Sequence, residues 1–366
     1  MVKDKILKIT SNKYFRIVLL VIIFSFAVEK RLRYFTQTSK DIYAYERAIH
    51  DLFGGVNPYE WTIESYSNVD DPTNHGYAYL PGLLYLFSGL YFLHLKSGIS
   101  LEVLWKIPVL IADISVGLLL VKYFFKKDYF LALIGSLIWF FNPYNFFRTG
   151  YTYSDPIPIL LMFLAIIFLE KDDVLAGAFL ALSIVFKTFP IILIPLFLIK
   201  TKNKLKFLTS AALVGLFFSI PFLRSMGDFL TYLNGTIFVH TERFVQGRPF
   251  LFYISYFYKV ELFQIIPLKL YSLMATLFPF VLIPLLYFVF KVKDKYVLAT
   301  AAFLNFYLFT PVFNRTYVLW FLPVFIIGAY KFFKKKMYVY LTFVVFYSFM
   351  SWYLLQWEDG FHIWRP

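Results

Sequence analysis

Apolar runs alternate with short lysine-bearing turns along most of the chain, and one long polar interval near the start breaks the pattern. A run of roughly 20 apolar residues crosses a bilayer as an α-helix, because within hydrocarbon each backbone N–H and C=O must bond inside its own segment. The runs place spans from about Tyr14 to Tyr34 and from about Glu102 to Phe125. Further spans fall near 129–147, 156–169, 174–187, 189–200, 207–224, 269–290, 296–312, 316–331 and 337–355. Lysines mark one side. Lys126 and Lys127, then Lys171, then Lys200, Lys202, Lys204 and Lys206 fall at alternate turns, followed by Lys291, Lys293 and Lys295, and by Lys331 and Lys334 to Lys336. Cytoplasmic loops carry this excess of positive charge. The expected fold is an all-α polytopic membrane protein with about 11 transmembrane helices. It is read as one integral-membrane domain over residues 1–366, with the C-terminus outside.

The run YAYLPGLLYLFSGLYFLHL, from Tyr77 to Leu95, is also apolar, but counting it as a span would invert every later lysine cluster. It is therefore expected to be an interfacial or re-entrant helix on the outer side. At the start, MVKDKILKITSNKYFR is basic and leads into an apolar run with no small-residue cleavage site, which predicts an uncleaved first span with its start in the cytoplasm. The far end of that span, EKRLR, is basic as well, against the pattern.

The polar interval runs from Asp41 to Pro81 and lies within a long first outer loop, residues 35–100. A loop of this length is functional or disordered. Its Tyr and Trp content argues for order, since such rings bury area. The segment DIYAYERA opens an amphipathic, juxtamembrane helix with Asp41 at its start.

Composition agrees with a membrane chain: 60% hydrophobic, 23% aromatic, mean hydropathy +0.66. The net charge of +14 would point to nucleic acid in a soluble protein. Here the cations sit between apolar runs, so the charge is read as topology and no nucleic-acid partner is expected. Absence of cysteine excludes a disulfide and a thiolate metal site. Arginines other than Arg16 fall on the outer side of this scheme, where their planar forks suit phosphate. No HExxH, Walker loop, GxSxG or zinc-ligand spacing occurs.

Four groups of residues carry candidate chemistry. Asp41, at the outer end of the first span, is placed to accept a proton as a general base, though a helix cap reads the same way. Asp113 lies inside an apolar span, where a structural hydrogen bond to a neighbouring helix is the favoured reading. Lys187, in VFKTFP, faces either Asp155 or a phosphate. His240, Arg243 and Arg248, in HTERFVQGRPF, form a candidate cradle for a lipid phosphate, with Arg315 a similar case.

In order along the chain, these pieces resemble the GT-C superfamily of polyprenyl-phosphate-sugar-dependent glycosyltransferases. The likeness is to the catalytic subunit of GPI mannosyltransferase I and to bacterial polyprenyl-phosphomannose-dependent mannosyltransferases. The matching stretches are Asp41 with Tyr45 and Ala48, GGVNPY (Gly54 to Tyr59), YAYLP (Tyr77 to Pro81) and KIPVLIAD (Lys106 to Asp113). FNP (Phe141 to Pro143) with Asp155, KTFP (Lys187 to Pro190), the His240–Arg243 loop with Arg248 and Phe250, and TYVLWFLP (Thr316 to Pro323) follow.

The resemblance implies transfer of a hexose, mannose first, from dolichyl or polyprenyl phosphate to a lipid-linked or glycolipid acceptor, by inversion with Asp41 as base. His240, Arg243, Arg248 and Lys187 would bind the donor phosphate, and Tyr77, Tyr79, Asp155, Arg315 and Tyr317 the substrates. Many relatives carry an Asp-x-Asp pair. Here Ser39 takes the first place, and a single carboxylate weakens a metal-site reading, so no cofactor is expected, a divalent metal being the unsupported alternative. The expected location is a prokaryotic, archaeal cell membrane with the site outside and membrane lipids around it, the endoplasmic reticulum membrane being the alternative. A non-enzymatic lipid or solute flippase is the rival reading, and it requires a polar path of paired charges through the bilayer.

Overall fold

The structure, a computed structural model, describes residues 12–36, 41–67, 76–142, 154–241, 245–247, 249–258, 265–314, 316–355 and 363–364. Each expected span holds a helix among the described residues, 143–147 of the third span lying outside them. The first, α1 (Lys13–Leu32), starts where the Asn12 side chain accepts from the Tyr14 amide at 2.8 Å. The outer interval folds into α2 (Asp41–Phe53), α3 (Pro58–Ser67) and α4 (Pro81–Ser97). Then come α5 (Leu101–Phe124), α6 (Tyr129–Phe141), α7 (Pro156–Phe168), α8 (Asp173–Phe186), α9 (Phe189–Lys200) and α10 (Lys204–Phe222). The rest are α11 (Met226–Thr236), α12 (Phe250–Tyr258), α13 (Leu268–Val289), α14 (Lys295–Phe309), α15 (Tyr317–Phe332) and α16 (Lys336–Leu355).

Among the described residues, α5, α10 and α13 are long and apolar enough to cross a membrane, and α6, α7, α8, α9, α14 and α15 are shorter apolar helices. A 13-residue helix such as α7 rises only about 20 Å, against a hydrocarbon core of about 30 Å. Such short helices are tolerated where their ends are buried in protein. The main core joins α5, α6, α7, α9, α14 and α15 through fully buried rings such as Trp139, Phe163 and Phe303. Lipid gives no hydrophobic drive between helices, so close contact must hold them together. Gly177 shows this in α8: a Cβ there would lie 2.4 Å from the Phe207 carbonyl oxygen of α10.

The helix ends sort into two groups. At one end the Tyr129 hydroxyl donates to the Arg16 carbonyl at 3.0 Å, and Lys336 pairs with Asp128. There too Glu170 receives Lys200 at 2.6 Å and Lys295 at 3.8 Å, while Lys200 and Lys293 both lie over the Tyr287 ring. This end collects the lysine-rich turns. At the other end Lys106, at the start of α5, donates to the carbonyls of Tyr34 and Phe35 just past α1, at 3.0 and 2.8 Å. Asp155 and Lys187 lie at this second end as well, since α7 starts there and α8 finishes there.

Two features depart from the sequence pattern. The basic far end of α1 is not a solvated cluster. Arg31 is buried and its Nε lies 2.5 Å from Asp113 Oδ2 of α5, while Arg33 pairs with Glu29. The structural reading of Asp113 therefore holds, with an arginine as its neighbour. The all-helical expectation also missed one small sheet. Strand β1 (Val245–Gly247) pairs in parallel with β2 (Val312–Phe313), Gln246 opposite Val312, and antiparallel with β3 (Ile363–Trp364), Gln246 opposite Ile363.

Candidate functional site

A short extended stretch, Gly76 to Leu80, draws together the elements that carry the predicted site residues. It starts where Gly76 meets α3: its amide donates to Ser65 Oγ at 2.7 Å, and a Cβ on Gly76 would lie 2.4 Å from Thr62 Cα. Only glycine fits so close a backbone approach. The stretch ends at Pro81, which suits the first position of a helix because its missing N–H would be unpaired there anyway.

Tyr77 fixes this turn from inside. Its hydroxyl donates to the Leu80 carbonyl at 2.8 Å and accepts from the Leu84 amide at 2.9 Å, which satisfies one of the orphan donors of α4. The ring is 2% exposed. Tyr77 was expected to touch substrate; its hydroxyl is spent on the backbone and its ring is enclosed, so it belongs to the frame. Tyr59 of α3 is completely buried and donates to the Tyr79 carbonyl at 2.9 Å. Burial pushes the phenols of Tyr59 and Tyr77 well above their ordinary pKa, so both stay neutral donors.

Helix α2 docks on this stretch through Tyr45, whose ring lies near those of Tyr77 (5.4 Å) and Tyr79 (6.3 Å, nearly parallel) and meets Trp105 of α5 at 4.6 Å. Asp41 is the first residue of α2, one turn before Tyr45, as the pattern predicted. Its side chain lies outside the described residues. From a different part of the chain, His240 reaches the same stretch: its Nε2 donates to the Ala78 carbonyl at 2.8 Å. A carbonyl only accepts, so Nε2 carries the proton. Arg243, Arg248 and Arg315 lie outside the described residues. The strands beside them in sequence, β1 and β2, are paired, which draws the chain after His240 to the chain before Arg315.

On the other flank of Tyr79 lies an ion pair. Lys187 Nζ sits 2.8 Å from Asp155 Oδ1 and 5.2 Å from the centre of the Tyr79 ring. The Asp155 side chain is 1% exposed and that of Lys187 11%. Trp320 of α15 donates its indole N–H to the same Asp155 oxygen at 2.5 Å, and stacks on Phe189 (4.2 Å) and Tyr317 (3.8 Å). Lys187 was expected to bind donor phosphate. In this structure its ammonium pairs with Asp155. Sequence reasoning brought Asp155, Lys187 and Tyr317 into play but missed Trp320, although it stands in the TYVLWFLP motif. Tyr59 closes the GGVNPY motif and Arg31 lies in EKRLR, but a partner for either could not be read from the sequence.

Among the described residues no three His, Asp or Glu side chains gather as a metal site. The model of glycosyltransferase family 87 matches residues 77–314, about two thirds of the chain. The chain belongs to glycosyltransferase family 87. It is therefore a membrane glycosyltransferase, acting on a sugar donor and an acceptor. No curated protein and no solved structure matches the chain. Within the family 87 match lie Tyr77, Tyr79, Asp155, Lys187 and His240; Asp41 and Tyr317 lie on either side of it.

Proposed function

We propose that this family 87 enzyme transfers a hexose, mannose first, from dolichyl or another polyprenyl phosphate to a lipid-linked or glycolipid acceptor. The reaction runs on the non-cytoplasmic face of a bundle of about 11 crossings. One observation carries the reading. The stretch Tyr77–Tyr79 joins the helix that Asp41 begins to His240 and to the Lys187–Asp155 pair, at the end away from the lysine-rich turns. An acid and a set of cations around one aromatic turn is what the chemistry needs. Asp41 takes the proton from the acceptor hydroxyl, whose oxygen attacks the anomeric carbon with inversion. The bond from that carbon to the phosphate oxygen breaks, and the phosphate leaves with the growing negative charge. His240, Arg243 and Arg248 are the groups assigned to receive it.

A cysteine-free composition rich in Lys, Phe and Tyr supports a prokaryotic cell membrane, archaeal in type, with the site on the exterior. The test is label transfer from polyprenyl phosphomannose and polyprenyl phosphoglucose to membrane lipid extracts, with wild type and Asp41→Asn. Wild type is expected to label the lipid fraction from the mannosyl donor, and Asp41→Asn to lose transfer by about 100-fold or more while still folding. Silence of the wild type with both donors would overturn the reading. Full activity of Asp41→Asn would overturn the assignment of the base.

A further inference from the structure

Asp155 uses one oxygen twice and the other not at all. Oδ1 accepts from Lys187 Nζ and Trp320 Nε1, whereas Oδ2 is buried and has no hydrogen-bond partner among the described residues. A carboxylate offers about four acceptor sites, and leaving a buried one empty carries a desolvation penalty. Such gaps in a native interior call for an explanation. A pair that served only to tie α7 to α8 gains nothing from an empty oxygen, and apolar residues of similar volume would do the same work.

The surroundings say what the oxygen is for. Tyr79 and Tyr317, both half-buried, stand on the two flanks of the cluster, one beneath Lys187 and the other stacked on Trp320. An anion is refused there, because the free atom is itself part of a negative group. A hydroxyl suits it, and aromatic faces suit the C–H faces of a sugar ring, in the general form of an apolar pocket with a few placed polar atoms.

We propose that Asp155 Oδ2 accepts a hydrogen bond from one hydroxyl of the transferred hexose, which makes Asp155 a specificity-determining residue of the donor site. Lys187 and Trp320 hold the other oxygen so that Oδ2 has a fixed direction. Oδ2 is buried in the free chain, so the sugar reaches it only when the side chains around it yield. This inference rests on the hexosyl-transfer reading above.

The experiment compares the full polyprenyl phosphohexose with its monodeoxy analogues, each lacking one hydroxyl. In wild type one analogue is expected to lose kcat/KM by about 100-fold or more, since a site built to bond a hydroxyl rejects the compound without it. Because Asp155→Asn leaves a buried lysine unpaired and can fail to fold, the second variant is Asp155→Leu with Lys187→Met, which removes both charges. That protein is expected to fold, to use the parent hexose poorly, and to treat the sensitive analogue and the parent alike. Equal use of every analogue by wild type overturns the proposal, as does unchanged discrimination in the double variant. Wild type that transfers no hexose at all overturns this inference together with the proposed function, whereas hexose transfer with flat discrimination overturns this inference alone.

Discussion

Arg31 and Asp113 stand 82 residues apart in the chain and meet at 2.5 Å, with side chains 2% and 0% exposed. Arg31 also donates to the Ala27 and Phe140 carbonyls, so one guanidinium ties α1 to α5 and α6. A buried pair like this is costly to break and cheap to replace, because desolvation has already consumed most of its attraction.

Arg31→Met alone or Asp113→Leu alone is therefore expected to destabilise the protein by about 3–5 kcal/mol, as each leaves one charge without its counter-charge. The double variant should recover most of that loss. Unfolding of the four proteins in one detergent measures both statements. A double variant whose loss equals the sum of the two single losses would show that the two side chains are not coupled.

Tyr77→Phe removes a hydroxyl that serves two backbone groups at the start of α4. The ring still fits, so the loss is that of the hydrogen bonds, about 1–3 kcal/mol. Faster amide exchange at Leu84 and a lower melting temperature are the expected readouts. Unchanged exchange there would mean that the hydroxyl does not cap the helix.

Gly76→Ala is expected to be worse than its size suggests, because the new Cβ meets the Thr62 backbone and not a movable side-chain tip. Overpacking of this kind costs about 1–3 kcal/mol or more. Gly89→Ala in α4 is the control: nothing lies within 4 Å of its added Cβ, and it should stabilise by about 0.5–1 kcal/mol. Melting temperatures that move in the same direction for both would contradict the close approach at Gly76.

Trp320→Phe keeps a ring to stack on Phe189 and Tyr317 but removes the indole donor to Asp155. A hydrogen bond to a charged group is worth about 1.5–3 kcal/mol, and the variant is expected to lose stability in that range. A stability equal to wild type would show that the stack, and not the indole N–H, is what Trp320 contributes.

The helices were legible because apolar helices advertise themselves one segment at a time: each expected span from Tyr14 to residue 355 holds a helix among the described residues. The start of α2 at Asp41 was legible for the same local reason. Partnerships across the chain were not. Nothing near Arg31 points to Asp113, and its place in EKRLR read only as a basic end that ran against the topology. The backbone bonds of Tyr77 were not legible either, since a tyrosine in a motif gives no sign of whether its hydroxyl faces a ligand or its own backbone. The sheet was missed because two- and three-residue strands are too short to show alternation. Asp155 was one of the two partners read for Lys187, and Trp320 was carried in the TYVLWFLP motif, but nothing local joined that indole to the pair.

Tyr79 gives its carbonyl to Tyr59 and its ring to both Tyr45 and Lys187. Lesions on opposite flanks of that residue therefore cannot act as independent events. A mild substitution at Tyr45 and another at Lys187 are predisposed to epistasis, since each shifts the same few atoms that the other relies on. Screens for second-site suppressors of a defect on one flank would accordingly find them on the far flank, in residues with no direct contact to the original change.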